Sequence, residues 1–231
     1  MRLDRRDAIG LACALVLAAG CVGLGFWQLD RLRQRRARNA VVFAARQRPA
    51  LEVVGSLDPD SARDRQLHAR GTYDFAHERQ WHGRSYAGVP GVDLITPLRL
   101  RDGSAVLVDR GWAPSPDGYH VDAAAYREPD SADLLGLGVA APRARGDVVP
   151  AALRDSLPYP LLGVVVQELP TEHPVGGPDL GLRRWPAPEL TTGPHLSYAI
   201  QWFSFALIIV VGSGALLRQR GAAAGREGQG R

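Results

Sequence analysis

Two uninterrupted apolar runs, at residues 8–29 and 196–217, constrain this chain more than any other feature. Each is roughly 20 residues long, enough to cross a bilayer as a helix, and neither holds a charge between its ends. Both read as transmembrane helices. The segment between them must then fold outside the bilayer and lead back to it.

The second run opens with Gly193-Pro194-His195-Leu196-Ser197-Tyr198-Ala199-Ile200-Gln201-Trp202-Phe203. With His195 at zero and about 100° per residue, Ala199 lies near +40°, Trp202 near −20°, Tyr198 near −60° and Phe205 near −80°. One face thus carries an ionisable ring, three aromatic side chains and a small residue. An interfacial aromatic belt would look like this. So would a site for a large, flat, apolar ligand with a nitrogen ligand at its edge. The first run ends on Phe26-Trp27-Gln28-x-x-Arg31. If both termini lie on one side of the membrane, the first helix leaves the bilayer where the second enters it. Trp27, Gln28 and Arg31 then share the depth of His195. An arginine beside an aromatic, histidine-bearing face suits a metal macrocycle with carboxylate tails, with His on the metal and Arg on the carboxylates. The plainer alternative makes Trp27 a belt residue and Arg31 a headgroup anchor.

Charge patterning is split on orientation. Arg218 and Arg220 follow the second run and place that end in the cytoplasm, with Arg2, Arg5 and Arg6 at the N-terminus. Arg31, Arg33, Arg35, Arg36 and Arg38 follow the first run and favour the opposite orientation. Long segments translocate largely regardless of charge, so both termini are expected inside. Ala18-Ala19-Gly20-Cys21 resembles a lipoprotein cleavage box. The apolar run continues to Trp27, however, and an uncleaved anchor fits better. Small residues at Ala19/Gly23 and Cys21/Gly25 are spaced for close helix packing. With no amphipathic transit segment ahead of the run, a bacterial cell membrane is expected rather than an organelle, with the bulk of the chain extracytoplasmic.

All 28 basic residues are Arg, and the net charge of +4 is too small and scattered to indicate nucleic acid. Both cysteines, Cys13 and Cys21, lie in the first apolar run. The central segment therefore has no disulfide framework, thiol zinc site or thiolate copper pair, which weighs against a copper chaperone or a thiol oxidoreductase.

The chain in order reads as a cytoplasmic N-terminus (1–7), a first transmembrane helix (8–29), a helical extension (30–49) ended by Pro49, and a β-domain with connector (50–194). A second transmembrane helix (195–217) and a disordered cytoplasmic tail (218–231) follow. Strands are expected at 66–73, 92–100, 105–112, 134–140 and 161–169, with Arg101-Asp102-Gly103 as a hairpin turn. Residues 114–129 and 142–160 read as surface loops, and 172–189 as an extended connector. The fold class is a membrane α+β protein, two transmembrane helices flanking a mainly antiparallel, barrel-like β-domain.

His68, His77, His82, His120 and His173 show no metal-ligand spacing. No G-x-S-x-G, phosphate-cradling glycine loop or H-E-x-x-H is present. Asp58/Asp60 and Asp130/Asp133 read as turn and loop residues. No catalytic residue is assigned and no enzyme is expected. Asp109-Arg110-Gly111-Trp112 ends a strand on a charged pair, a glycine and a large aromatic. Strand-end packing, with Arg110 on a carboxylate, outweighs direct ligand contact there, and the same holds for Tyr73. At Thr96-Pro97 the proline suggests an edge position or a bulge.

Leu24-Gly25-Phe26-Trp27-Gln28-x-x-Arg31 resembles the first-helix motif of the surfeit locus protein 1 family. In the same order follow Gly71-Thr72-Tyr73, Gly83-Arg84, Gly91-Val92-Asp93-Leu94-Ile95-Thr96-Pro97-Leu98 and Val106-Leu107-Val108-Asp109-Arg110-Gly111-Trp112. His195-Leu196-Ser197-Tyr198-Ala199-Ile200-Gln201-Trp202-Phe203 closes the series. The resemblance covers about Leu24 to Phe205, with nothing carried over from 115–190. It departs from the family pattern in having Asp109 rather than Asn, and Gly193-Pro194 rather than an Asn pair. It implies an assembly factor for heme-copper cytochrome c oxidase that binds heme a and assists its insertion. The implied partners are the heme-bearing catalytic subunit, the lipid bilayer and heme a synthase. His195 is the implied metal ligand, with Tyr198, Trp202, Trp27 and Arg31 completing the cofactor site. The alternative is a scaffold that stabilises the nascent oxidase subunit without a cofactor.

Overall fold

A computed structural model describes residues 5–140, 148, 150–170 and 181–229. The chain divides into two compact units, one of residues Met1–Val41 with Leu190–Arg231 and one of Val42–Glu189.

The first unit is built from two long helices. α1 runs Arg5–Arg46, with Asp7 in its first turn, and stops ahead of Pro49, which cannot continue it. α4 begins at His195 and is helical to Gln229, so residues 218–229 continue the helix where an irregular tail was expected. Both helices are long and apolar enough to cross a membrane. Their contacts pair rising numbers in α1 with falling numbers in α4: Asp7 with Arg220, Phe26 with Phe203, Gln28 with His195, and Asn39 with the carbonyls of Leu190 and Thr191. The pair is therefore antiparallel. Gly25 makes the close approach possible, since a Cβ there would lie 2.6 Å from the Phe203 ring.

The second unit is a sheet of seven strands: β1 (Leu51–Glu52), β2 (Gln66–Tyr73), β3 (Arg79–Tyr86), β4 (Val89–Leu100), β5 (Ala105–Pro114), β6 (Ser131–Ala140) and β7 (Leu161–Glu168). The order is β1-β2-β6-β7-β5-β4-β3, with β2 also pairing β4. That extra pairing, Gly71 to Leu100 through Tyr73 to Leu98, closes a circuit of five strands, β2-β6-β7-β5-β4. All five send side chains into one core, among them Leu67, Ala69, Leu98, Val106, Val108, Leu134, Val164 and Val166. Closure removes the edges of those five strands. Five of the seven neighbouring strand pairs, counting β2–β4, are antiparallel; β1–β2 and β5–β7 are parallel.

Two short helices, α2 (Pro59–Ala62) and α3 (Pro150–Leu153), complete the unit. Asp58 caps α2, its carboxylate accepting from the amides of Asp60 and Ser61, as Asp does at a helix start. α3 and the residues after it correct the expectation of a surface loop. Val148, Leu153, Leu157 and Tyr159 are buried with Ile95, Ala105, Leu107, Leu161 and Val165 in a second core on the outer face of β5 and β7. Strands covered on both faces read as continuous apolar runs, as Ala105-Val106-Leu107-Val108 does. β3 was not expected. Arg-Gln-Trp-His-Gly-Arg-Ser-Tyr has neither β-branched residues nor alternation, because it is an edge strand held mainly by β4. Pro97 is neither at an edge nor in a bulge. It lies where the neighbour of β4 changes from β3, last paired at Ile95, to β2, first paired at Leu98, so its missing N–H interrupts no ladder.

Candidate functional site

The two helices bring His195, Tyr198, Trp202 and Arg31 to one side of the pair, while Trp27 lies further round α1, nearly opposite the seam. Gly25 in α1 and Ala199 in α4 mark the packed seam, Ala199 being 1% exposed. Measured from those residues at about 100° per residue, Phe26 and Phe203 fall on one flank, and their rings meet edge to face with centroids 5.4 Å apart. Gln28 and His195 fall on the other flank, where His195 Nδ1 and Gln28 Oε1 are 2.9 Å apart. Arg31 lies further round α1 on that second flank, and Trp202, Tyr198 and Phe205 further round α4 on it. The Arg31 guanidinium sits 5.4 Å from the Trp27 ring centroid and donates to Gln34 Oε1; among the described residues it has no carboxylate partner. Trp202 packs edge to face on Phe205 at 5.9 Å. Tyr198 and Trp27 are about half exposed, so this chain alone does not enclose the face.

The aim of His195 is set by the turn before it. Gly193 has φ +69°, a left-handed conformation that costs glycine nothing. Pro194 then supplies the first helical acceptor, its carbonyl taking the Tyr198 amide at 3.1 Å and the Ser197 hydroxyl at 2.8 Å. His195 thereby becomes the first residue of α4. If Nδ1 carries the proton and donates to Gln28, Nε2 is left as a free lone pair.

In the β-domain, Asp109-Arg110-Gly111-Trp112 forms a bulge. Leu94 pairs with Gly111 and Ile95 with Asp109, leaving Arg110 as the extra residue on β5. Gly111 has φ +122° and lies against the Arg183 carbonyl, a combination only glycine allows. The fully buried Arg110 side chain donates to Glu78 at 2.6 Å, Glu128 at 2.9 Å, the Tyr126 carbonyl at 2.9 Å and the Thr96 hydroxyl at 2.8 Å. It also faces the rings of Tyr73 and Phe75. This is the packing role read for Arg110 and Tyr73. Arg184 extends the network to Glu128 and Glu168. Burial raises the Glu168 carboxyl above its usual range despite Arg184. Trp112, buried, packs on Tyr86 with centroids 5.5 Å apart.

Further back on β4 the buried Asp93 accepts from Arg84 at 2.5 Å and from the Trp185 indole at 2.8 Å. The Arg84 guanidinium lies near the rings of both Trp81 and Trp185. Burial first, and the neighbouring Asp93 second, push the Asp109 carboxyl up to about 7. None of these partners, Glu78, Glu128, Glu168, Arg184 or Trp185, was legible as such: they come from distant positions with no shared spacing.

The histidines of the domain make separate local pairs. His68 bridges Glu52 and Asp133, His77 pairs with Asp74, His120 with Asp117, and His82 packs against Tyr119. His173 lies outside the described residues. No group of three or more metal-capable side chains occurs among the described residues.

A closed β-domain whose buried Arg110, Arg184 and Arg84 are paired internally, together with two apolar helices of membrane-crossing length, marks a membrane protein. The sequence model of the SURF1 family matches residues 15–207, most of the chain including both helix motifs. The chain belongs to the SURF1 family, a family of cytochrome oxidase assembly factors. A comparison with curated proteins returned no match.

Proposed function

We propose that this chain holds heme a at the extracytoplasmic end of its helix pair and presents it to the heme-bearing subunit of a cytochrome c oxidase. The observation that carries this reading is the His195–Gln28 contact. A histidine that ligates a metal almost always donates its other ring N–H to an oxygen acceptor, which fixes the tautomer and ring orientation. Gln28 is such an acceptor, 2.9 Å from Nδ1, and Nε2 remains for iron. The donor set fits the group: a neutral imidazole for the metal, Trp202 and Tyr198 for the ring, and Arg31, without a carboxylate partner among the described residues, for a propionate. Trp27 buttresses Arg31 through its ring. When bound, the group supplies the redox iron that the oxidase requires. The chain's own part is to orient His195, neutralise carboxylate charge at the membrane surface, and leave one side open. That open side is where the oxidase subunit docks and takes over the ligand. The protein performs no covalent chemistry in this role. It resides in a bacterial cell membrane with the β-domain extracytoplasmic.

Titration of purified full-length protein with heme, followed by visible absorbance, tests the reading. Gln28→Leu should weaken binding about tenfold or more, the usual cost of losing an outer-shell partner. His195→Ala should abolish the iron-ligand band. Equal affinity for all three proteins contradicts the site.

A further inference from the structure

The outer face of the closed sheet carries an open cleft. This cleft of about 460 Å³ is lined by Arg70, Thr72, Arg99, Arg101, Ser131 and Asp133. Their placement follows from register. Thr72 of β2 pairs Ser131 of β6 on one side and Arg99 of β4 on the other, so one row across three strands reads Ser-Thr-Arg. Arg70 pairs Asp133 in the next row, and Arg101 follows the end of β4 directly, in the turn, and also lines the cleft. Alternation sends Leu67, Ala69 and Tyr73 of β2 inward and Arg70 and Thr72 outward.

Charge on this face is unbalanced. Asp133 is the one carboxylate lining the cleft, and both its oxygens are taken: Oδ1 by His68 at 2.5 Å and Oδ2 by Arg70 at 3.1 Å. Arg99 rests over the Tyr159 ring at 5.7 Å and has no carboxylate partner among the described residues; Arg101 has none either. Like charges two residues apart repel unless something neutralises them. Two guanidinium groups and two hydroxyls converging on an open cleft form the donor set that takes a multivalent oxyanion.

We propose that this cleft binds a phosphate-class oxyanion, through Arg99 and Arg101 with Thr72 and Ser131 as hydroxyl donors. The shared chemistry admits a soluble polyphosphate or the phosphodiester headgroup of an anionic lipid. Full-length protein in zwitterionic detergent should bind pyrophosphate saturably by calorimetry. The Arg99→Gln/Arg101→Gln pair should weaken it about tenfold or more, as expected for lost charge-assisted hydrogen bonds. An Arg35→Gln/Arg36→Gln control on α1 should leave it unchanged. Both sites are exposed, so unchanged melting temperatures will exclude misfolding. Competition by monomeric short-chain phosphatidylglycerol, but not phosphatidylcholine, assigns the headgroup as the source; no competition by either assigns a soluble phosphate. Absence of saturable pyrophosphate binding, equal affinity in the double variant, or tighter binding of a hexaglutamate peptide than of pyrophosphate overturns the proposal.

Discussion

Asp109 shows how a single side chain sets a pH response. Its carboxyl is pushed up to about 7 in the folded protein, chiefly by burial, against about 3.9 in an unfolded chain. Between those values the native state keeps a proton that the unfolded state has lost. Stability therefore falls as pH rises from about 4 to about 7, and the penalty is complete above that. Asp109→Asn keeps an oxygen for the Gly111 amide, which Oδ1 now accepts at 3.0 Å, and removes the titration. The melting temperature of the variant should exceed that of the wild type at pH 8 by about 2–4 °C, the shift that roughly 1 kcal/mol gives in a chain this size. The gap should close towards pH 5; an equal gap at both values would place the effect elsewhere. Gly111 is a second sensitive position. Gly111→Ala forces a left-handed residue with a Cβ against the Arg183 carbonyl and should cost about 2–4 kcal/mol by urea unfolding. Sequence marked Asp109 to Trp112 as a strand end of unusual composition. It could not mark the bulge, because a bulge is defined by the partner strand.

At the level of elements, both helices were legible because apolar length is a one-dimensional signal. The start of α4 at His195 was met, but the polar continuation of α4 beyond 217 was not, since it carries no apolar run. The five strands of the closed circuit were legible for a related reason: each has an inward face or two buried faces. β3 was not, since an edge strand needs no apolar pattern, and neither was α3, which covers the sheet with only a few buried side chains. The buried Arg110 network ties β3, β4, β5 and the segment at Arg184 together. Arg110→Met would leave Glu78 without a cation at a buried site and Glu128 with Arg184 alone, costing about 3–5 kcal/mol in chemical unfolding. Arg110→Lys should recover little of this, lacking the planar fork that reaches four acceptors. In the helix pair, the register at Gly25 and Phe203 is testable by cross-linking. With Cys13 and Cys21 replaced by Ser, a Gln28→Cys/His195→Cys protein should be joined intramolecularly by a short bifunctional thiol cross-linker, and adding Gly25→Val should suppress it. A cross-link indifferent to Gly25→Val would show that the helices do not pack through this glycine.

For the whole molecule, the division of labour follows from where the polar groups go. In the β-domain Arg110, Arg184, Arg84 and their carboxylates are paired with one another, which builds a stable body. In the helix pair, by contrast, Arg31 has no carboxylate partner and His195 no side-chain partner beyond Gln28 among the described residues, at the edge of an aromatic face. Family membership was readable from motifs at Leu24–Arg31, Gly91–Leu98, Val106–Trp112 and His195–Phe203, because those residues carry the packing seam, the bulge and the helix start. The ligand partners of Arg110 and the oxyanion cleft were not readable, since both depend on strands meeting across the barrel. The central claim is that His195 is an iron ligand held in place by Gln28. It is tested most directly by producing the full-length protein together with saturating heme a synthesis, purifying it in detergent, and recording its visible spectrum beside His195→Ala. The account predicts heme a bands in the wild type that are lost or shifted in the variant; a wild-type protein that purifies colourless under those conditions would contradict it.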